Sequence, residues 1–409
     1  MPGYFSELRK AWRPLLAAFI GMGTGMSVVG TVTSTIVPSL LAETGWARAD
    51  FAKVGSTAIV MALAFPFIGR LTDLMGVRFT ALIGQIILPL AYFAYSRMDG
   101  ALGTYIAIFV VQSLFCVTTT ATVYSRLAVQ YVEKARGLAL AIVVSGPALM
   151  GMIIGPILNS YVESHGWRAS FVAMAIFTAI AGVACFLLIP ASSSPVRSAG
   201  QPKRRARDDY PLILRTPAFW FIAAAMLLCN LPMTLLLVQL KFLMEANGVA
   251  SRDVAVMLSA APFGMLIGRF LAGFALDRFS PYLIAFITMA LPSLGLFVIA
   301  SQFDSPAMLT FAVFCVGFAF GAEGDVVAFL VARQFGVKIY SSVMGIVTMV
   351  TSMSTATGAA LLGMTMARTG GFDLFLMISG SAVFIGATLL LLLGRYDRFG
   401  ARPAQVAAS

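Results

Sequence analysis

Long apolar runs separated by short polar links fill most of this 409-residue chain. A helix needs about 20 apolar residues to cross a bilayer, and runs near that length, bounded by charges and turn residues, occur twelve times. They cover residues 15–41, 52–70, 79–97, 101–125, 138–161, 168–190, 217–244, 253–274, 281–301, 306–331, 340–367 and 373–394. The pattern therefore predicts an all-α integral membrane protein with twelve transmembrane helices.

The two halves of the chain repeat each other at an interval of about 204 residues, which is the mark of a duplicated unit. GRLTDLMGVR begins at Gly69 and GFALDRFSPY begins at Gly273, and each segment lies between two apolar runs. The one long polar stretch falls at the centre of the chain. We therefore predict a six-helix bundle over 1–190, a basic linker over 191–216, and a second, pseudo-symmetric six-helix bundle with a short tail over 217–409.

The composition excludes several classes of function. Hydrophobic residues make up 59% of the chain and charged residues only 11%, against about 25% charged in soluble domains. The four cysteines stand singly in apolar runs, and His165 is the one histidine. We therefore expect no disulfide framework, no metal site, no cofactor and no enzymatic activity.

The basic residues lie mainly in loops of one parity. If the N-terminus is inside, the loops of that side hold 20 Lys and Arg, and the loops of the opposite side hold 7. By the positive-inside rule, both termini are cytoplasmic. This bias accounts for the net charge of +11 without nucleic acid as a partner. We expect a multi-pass protein of the plasma membrane (the inner membrane of a cell), surrounded by lipid bilayer and functional as a monomer.

Three short motifs resemble those of the major facilitator superfamily, and with the span count the resemblance covers essentially the whole chain. The motif after the second span is matched by Gly69, Asp73, Gly76 and Arg78, although Val77 replaces a basic residue. GMIIGP (residues 151–156) resembles the motif of the fifth span, and GWR (residues 166–168) precedes the sixth. The resemblance implies two six-helix bundles that transport a substrate by alternating access around a midplane cavity.

Within that superfamily the chain is most similar to the monocarboxylate and oxalate/formate transporter branch. The residue that carries this similarity is Arg269 in the eighth span, eight residues before Asp277. In that branch an arginine at this spacing binds the substrate carboxylate. Thr351 stands where oxalate-type members have a lysine, which argues for a single substrate carboxylate. Met265 stands where some animal carriers have an acidic residue, so their proton-coupling scheme is not carried over.

Three ionisable residues lie deep in predicted spans, where charges are costly and are functional candidates. Arg269 in the eighth span, and Glu323 and Asp325 in the tenth, lie about 12–15 Å from the predicted cytoplasmic ends at ~1.5 Å per residue. An isolated arginine at that depth needs a partner. Because residues 323 and 325 are about 200° apart on a helix, only one of them can face Arg269. Asp325 is favoured slightly, and Glu323 stays open.

Such a pair could act as a switch. Protonation of the carboxylate would release Arg269 to bind an anionic substrate, which makes Asp325 and Glu323 candidates for proton coupling. The alternative is a fixed ion pair that only sets the packing of the two spans. Other candidates for substrate contact, chosen because polar groups inside spans can line a cavity, are Thr31, Tyr124, Asn230 and Thr351.

Two further acid–base pairs stand at matched positions in the two halves, at the predicted cytoplasmic ends of spans. Asp73 with Arg126 and Asp277 with Arg333 are predicted to form a cytoplasmic gate that holds the halves together in the outward-open state. The alternative is a static pair at each helix end.

These observations predict a secondary active transporter that moves a small or moderately apolar monocarboxylate with protons. Its partners would be a small organic anion and protons. One alternative is a proton-coupled exporter of drugs or metabolites, in which a cationic substrate binds Glu323 or Asp325 directly. From a different class, the chain could be a non-transporting membrane sensor.

Overall fold

The structure is a computed structural model. It describes residues 3–47, 51, 54, 58–191, 206–235, 243–244, 251–301 and 305–399. The helices of the first half are α1 (Tyr4–Lys10), α2 (Trp12–Gly23), α3 (Val29–Thr44), α4 (Ala58–Met75), α5 (Val77–Ser96), α6 (Leu102–Cys116), α7 (Ala121–Tyr131) and α8 (Arg136–Leu188).

The helices of the second half are α9 (Ala206–Arg215), α10 (Pro217–Cys229), α11 (Ser251–Leu276), α12 (Pro281–Ile299), α13 (Pro306–Phe335), α14 (Tyr340–Thr369) and α15 (Asp373–Phe399). Helix α9 occupies the last part of the predicted linker. The rest of that linker, residues 192–205, lies outside the described residues, as does the end of the predicted tail from residue 400.

Many of these helices are long and apolar enough to cross a membrane. Among the described residues there are nine such helices when α2 is counted with α3 and α6 with α7, and ten if α9 and α10, which meet at 73°, form one span. Helix α8 covers two predicted spans and is interrupted at Gly166, where φ is 76°. The prediction of an all-helical membrane fold is confirmed. The twelve-span count and the orientation of the termini stay predictions.

The chain forms two compact units. Unit 1 comprises Met1–Lys203 with Val337–Met349, and unit 2 comprises Arg204–Gly336 with Val350–Ser409. The start of α14, residues 340–349, therefore belongs to unit 1. The core of unit 1 contains a buried aromatic cluster of Tyr92, Tyr95, Tyr105, Trp167 and Phe171. The core of unit 2 is mainly aliphatic.

Two helices of unit 1 are broken at points that touch each other. Between α2 and α3 the chain forms a short 3₁₀ turn, Met26–Val28, and between α6 and α7 it forms another, Val117–Thr119. The Met26 backbone N–H donates to Thr119 Oγ1 at 2.9 Å. A Cβ at Gly25 would overlap the Thr119 side chain, so glycine permits this approach.

The break in α8 gives a prediction about backbone strain. Gly166 has φ 76° and ψ 171°, a region that essentially only glycine occupies. Gly166→Ala is expected to lower the free energy of unfolding by about 1–3 kcal/mol, although nothing lies within 4 Å of the added Cβ. Gly103→Ala is the matched control, because it also has open space but lies in α6 without a positive φ. Equal behaviour of the two variants in detergent unfolding would contradict the prediction.

Candidate functional site

Helices α11 and α13 pack backbone against backbone along two pairs of glycines. A Cβ on any of these glycines would overlap a main-chain oxygen of the opposite helix; they are Gly264 and Gly268 in α11 and Gly317 and Gly321 in α13. Glycines four residues apart are what membrane helices use to approach closely. We call this contact between α11 and α13 the glycine seam. It holds the two helices at a fixed separation and so sets the positions of the side chains at its end, which belong to the predicted site.

Arg269 and Asp325 meet at the end of this seam. Arg269 Nε lies 3.9 Å from Asp325 Oδ2, and the side chains are 11% and 0% exposed. Arg269 Nε also donates to the Gly321 backbone oxygen at 3.2 Å. Neither carboxylate oxygen of Asp325 has a hydrogen-bond partner among the residues that the structure describes. This pair is therefore held by charge attraction and not by a bidentate hydrogen-bonded fork.

Glu323 has a different neighbour. Its Oε1 accepts a 2.9 Å hydrogen bond from Asn230 Nδ2, which also donates to the Met226 backbone oxygen at 3.0 Å, at the end of α10. Both residues line a pocket whose other walls are mainly apolar, including Met289 and Phe320. The two carboxylates of α13 thus have separate surroundings, one with a guanidinium and one with an amide.

Asp73 and Arg126 form a buried ion pair in unit 1. Asp73 also accepts hydrogen bonds from the backbone N–H groups of Ser341 (3.2 Å) and Ser342 (2.7 Å) and from Ser342 Oγ (2.6 Å). N–H groups in the first turn of a helix have no partner inside the helix, and negative charge is favourable there. Asp73 therefore binds two partners, the Arg126 guanidinium and the first turn of α14.

The glycine of the same motif serves this contact. A Cβ at Gly69 would overlap the Ser341 backbone oxygen, and a Cβ at Gly345 would overlap that of Phe65. Nearby, the Tyr340 hydroxyl donates to Ser125 Oγ at 2.8 Å. Gly69 and Asp73 of the motif therefore both contact the first turns of α14.

The equivalent pair in unit 2 has different surroundings. Asp277 directly follows α11 and is half-buried, and Arg333 lies exposed in the last turn of α13. The Arg333 guanidinium lies over the ring of Tyr282, 5.6 Å from its centre. A gate formed by Asp277 with Arg333 stays a prediction.

The remaining candidates are divided between the units. Tyr124 is completely buried in unit 1, where its hydroxyl accepts from Gln85 Nε2 at 2.7 Å, so it faces the core. Thr31, also in unit 1, is half-buried beside Gly151 of α8. In unit 2, Asn230 contacts Glu323, and Thr351 is half-buried in α14.

Sequence reasoning missed Ser341, Ser342 and Gln85. The two serines stand at the start of the predicted span 340–367, where the first N–H groups of a helix have no partner inside it, and that signal was available. Gln85 is a polar residue inside an apolar run, which is a weaker signal because such residues also serve packing.

Apolar helices long enough to cross a bilayer, with buried ion pairs inside both units, define a multi-pass membrane protein. Residues 15–238 and 222–407 match the family model described as Major Facilitator Superfamily. The chain belongs to this superfamily, as its motifs predict.

Relatives of the chain include exporters and carboxylate carriers. It is 28% identical to the agnestins efflux protein AgnL12 of Paecilomyces divaricatus over 84% of this chain and 77% of that protein. It is 22% identical to monocarboxylate transporter 4 of Mus musculus over 96% and 84%. It is 27% identical to the synaptic vesicular amine transporter of Bos taurus over 83% and 65%.

Solved structures share the fold at low sequence identity. The human organic anion transporter MFSD10 superposes with a TM-score of 0.74 at 14% identity, over 93% of this chain and 99% of that one. The transporter FucP in its outward conformation gives a TM-score of 0.72 at 12% identity, over 94% and 98%.

Proposed function

We propose that the chain is a secondary active transporter that carries a small or moderately apolar monocarboxylate together with protons. The observation that carries the proposal is the contact between Arg269 and Asp325 inside unit 2. A guanidinium matches a carboxylate with two parallel hydrogen bonds, and here its carboxylate neighbour makes no such bonds. An anionic substrate can therefore compete with Asp325 for Arg269.

The exchange follows from charge balance. At 3.9 Å the attraction of the pair is about 4 kcal/mol for an effective dielectric constant of about 20. Protonation of Asp325 removes this attraction and leaves Arg269 to the substrate carboxylate. Loss of the proton restores the pair and expels the anion. Arg269 thus keeps one negative partner throughout, and one proton moves with each carboxylate.

The proposal includes twelve spans, cytoplasmic termini and alternating access in the plasma membrane. The capping of α14 by Asp73 supports a gate at that helix end, because these bonds must break if the start of α14 leaves unit 1. The monocarboxylate transporters among the relatives support the substrate class.

Substitution of Arg269 tests the proposal. In proteoliposomes, an inward proton gradient is expected to stimulate uptake of labelled monocarboxylates by the wild-type chain. Arg269→Lys should lower this uptake at least about tenfold, because lysine cannot form the planar fork. Asp325→Asn should keep anion exchange but lose the stimulation by the gradient. Arg368→Lys, exposed in the last turn of α14, is the matched control and should leave uptake unchanged.

Full uptake by Arg269→Lys would mean that the ion pair only sets the packing of α11 and α13. Efflux of organic cations without gradient-stimulated carboxylate uptake would refute the proposed substrate class.

A second candidate function is favoured by the pocket beside Glu323. A carboxylate in a mainly apolar pocket suits an organic cation, which would make the chain a proton-coupled exporter. In that case Glu323→Gln should abolish export of the cation, whereas Arg269→Lys should have little effect. Measuring efflux of a fluorescent lipophilic cation from loaded vesicles separates the two functions.

A further inference from the structure

Unit 1 contains a small pocket that the proposed function does not use. It lies where the breaks of α2/α3 and α6/α7 meet α5 and α8. Its polar lining side chains are Thr24, Gln85, Thr119 and Thr178, and the rest of its lining is Gly, Leu and Pro. None of the described side chains that line the pocket is charged.

The hydroxyl groups of this pocket present acceptors. Thr24, Thr119 and Thr178 each donate their hydroxyl hydrogen to a backbone oxygen one turn earlier, at 2.7–2.8 Å. A hydroxyl has one hydrogen and two lone pairs. With the hydrogens engaged, these oxygens can only accept. Thr119 Oγ1 already accepts from the Met26 N–H, so one of its lone pairs remains.

The amide of Gln85 is oriented by a directional chain of hydrogen bonds. Cys185 Sγ donates to the Ala17 backbone oxygen at 3.1 Å, so the Tyr124 hydroxyl, 3.5 Å from that sulfur, donates to it. Tyr124 in turn accepts from Gln85 Nε2 at 2.7 Å. This order places the Gln85 nitrogen towards Tyr124. The Gln85 amide oxygen is buried and has no hydrogen-bond partner among the described parts of the chain.

The broken helices bring helix ends of both signs to the pocket. Helix α2 ends at Gly23 and helix α6 ends at Cys116, and residues just beyond both ends line the pocket. The C-terminal end of a helix carries about half an elementary negative charge. Thr119 also lies two residues before α7, whose N-terminal end carries the opposite partial charge, so the preference for a cation rests on the wall of oxygen acceptors. Divalent cations are normally held by carboxylates. The described lining residues include no carboxylate, so the pocket suits a monovalent cation better than a divalent one.

We infer that this pocket binds an alkali-metal cation, with Na⁺ as the ion to test, through Gln85 Oε1 and the threonine hydroxyl oxygens. Broken membrane helices elsewhere coordinate Na⁺ with half-helix C-terminal ends and unwound carbonyls. In unit 2, Met289 stands 204 residues beyond Gln85, and Val326 corresponds to Thr119 at the 207-residue interval that relates Arg126 to Arg333. The site therefore belongs to unit 1 alone and does not depend on the roles of Arg269 and Asp325.

The test is Na⁺ binding by the purified full-length protein in detergent, without substrate. Increasing NaCl at constant ionic strength, balanced with choline chloride, is expected to raise the unfolding midpoint in a saturable way, as a ligand of the folded state does. Radioactive ²²Na⁺ should bind at one ion per chain. KCl in place of NaCl measures selectivity, and a saturable K⁺ effect would equally support an alkali-metal site.

Two pocket variants and one control locate the ion. Gln85→Leu and Thr178→Val should each weaken Na⁺ binding at least about tenfold, and Thr178→Val covers the case in which Gln85→Leu fails to fold. Gln112→Leu removes a buried glutamine of unit 1 that bonds to Tyr95 outside the pocket, and this variant should bind Na⁺ as the wild type does. Equal midpoints in choline, Na⁺ and K⁺ with no bound ²²Na⁺, or equal loss in pocket and control variants, would overturn the inference. Carboxylate uptake is a separate readout, so failure of the proposed function leaves this result intact.

Discussion

Replacing Asp73 with alanine is expected to lower the free energy of unfolding by about 3–5 kcal/mol, the range for removing one partner of a buried ion pair. The loss is large because Asp73 serves two groups of donors. The Arg126 guanidinium stays buried without its carboxylate, and the Ser341 and Ser342 N–H groups lose their acceptor at the start of α14. Ser342→Ala should cost much less, because the backbone bond to Asp73 remains.

Denaturation in mixed detergent micelles measures this effect, with Asp277→Ala as the matched control. Asp277 holds the equivalent position in unit 2 but is half-buried, and solvent screens such groups, so its loss should cost about 1 kcal/mol or less. A cysteine at the buried Val343 gives a second readout. Its thiol labelling should be slow in the wild-type background and faster with Asp73→Ala. Equal destabilisation by both aspartate variants, with unchanged labelling, would show that Asp73 does not hold α14.

Replacing Gly321 with valine is expected to disrupt unit 2 and to abolish transport. A Cβ at this position would overlap the Met265 backbone oxygen, so α11 and α13 must separate by shifts of the main chain. Overpacking lowers the free energy of unfolding by about 1–3 kcal/mol and occasionally more. We expect Gly321→Val to lie at the upper end of this range, because the neighbouring atom belongs to the main chain and cannot rotate away. The separation would also break the bond from Arg269 Nε to the Gly321 oxygen and move Arg269 relative to Asp325.

The graded variants Gly321→Ala and Gly268→Ala should show smaller losses in both folded yield and uptake. Gly363→Ala is the control in the same unit, because nothing lies within 4 Å of its added Cβ and an alanine suits a helix. Size-exclusion profiles, unfolding midpoints and uptake per folded molecule separate stability from site geometry. A fully active, stable Gly321→Val protein would contradict the described seam.

The contact between Arg269 and Asp325 could be anticipated because depth follows from counting residues along a helix. The contacts of Asp73 could be anticipated only in part. Its pairing with Arg126 follows from matched positions in the repeat, but its bonds to Ser341 and Ser342 join residues 268 positions apart, and no local pattern encodes that distance. The repeat does not predict the ring of Tyr282 beside Arg333, because Arg78 stands at the matching position of the first half. The periodicity of a helix predicts how deep a side chain lies in the membrane and which face of the helix it occupies. The partner of that side chain depends on which other helices pack against this face.

The composition of unit 1 has a consequence for biosynthesis. Its final segment, Val337–Met349, is made only after the intervening Arg204–Gly336 of unit 2. At about 5–20 residues per second, the ribosome needs roughly 7–27 s to cross those 133 residues. During that interval Asp73 and Arg126 can meet, but the serines that complete their contacts do not yet exist. The nascent first half must therefore wait in the membrane, with its carboxylate only partly satisfied, until the eleventh predicted span arrives.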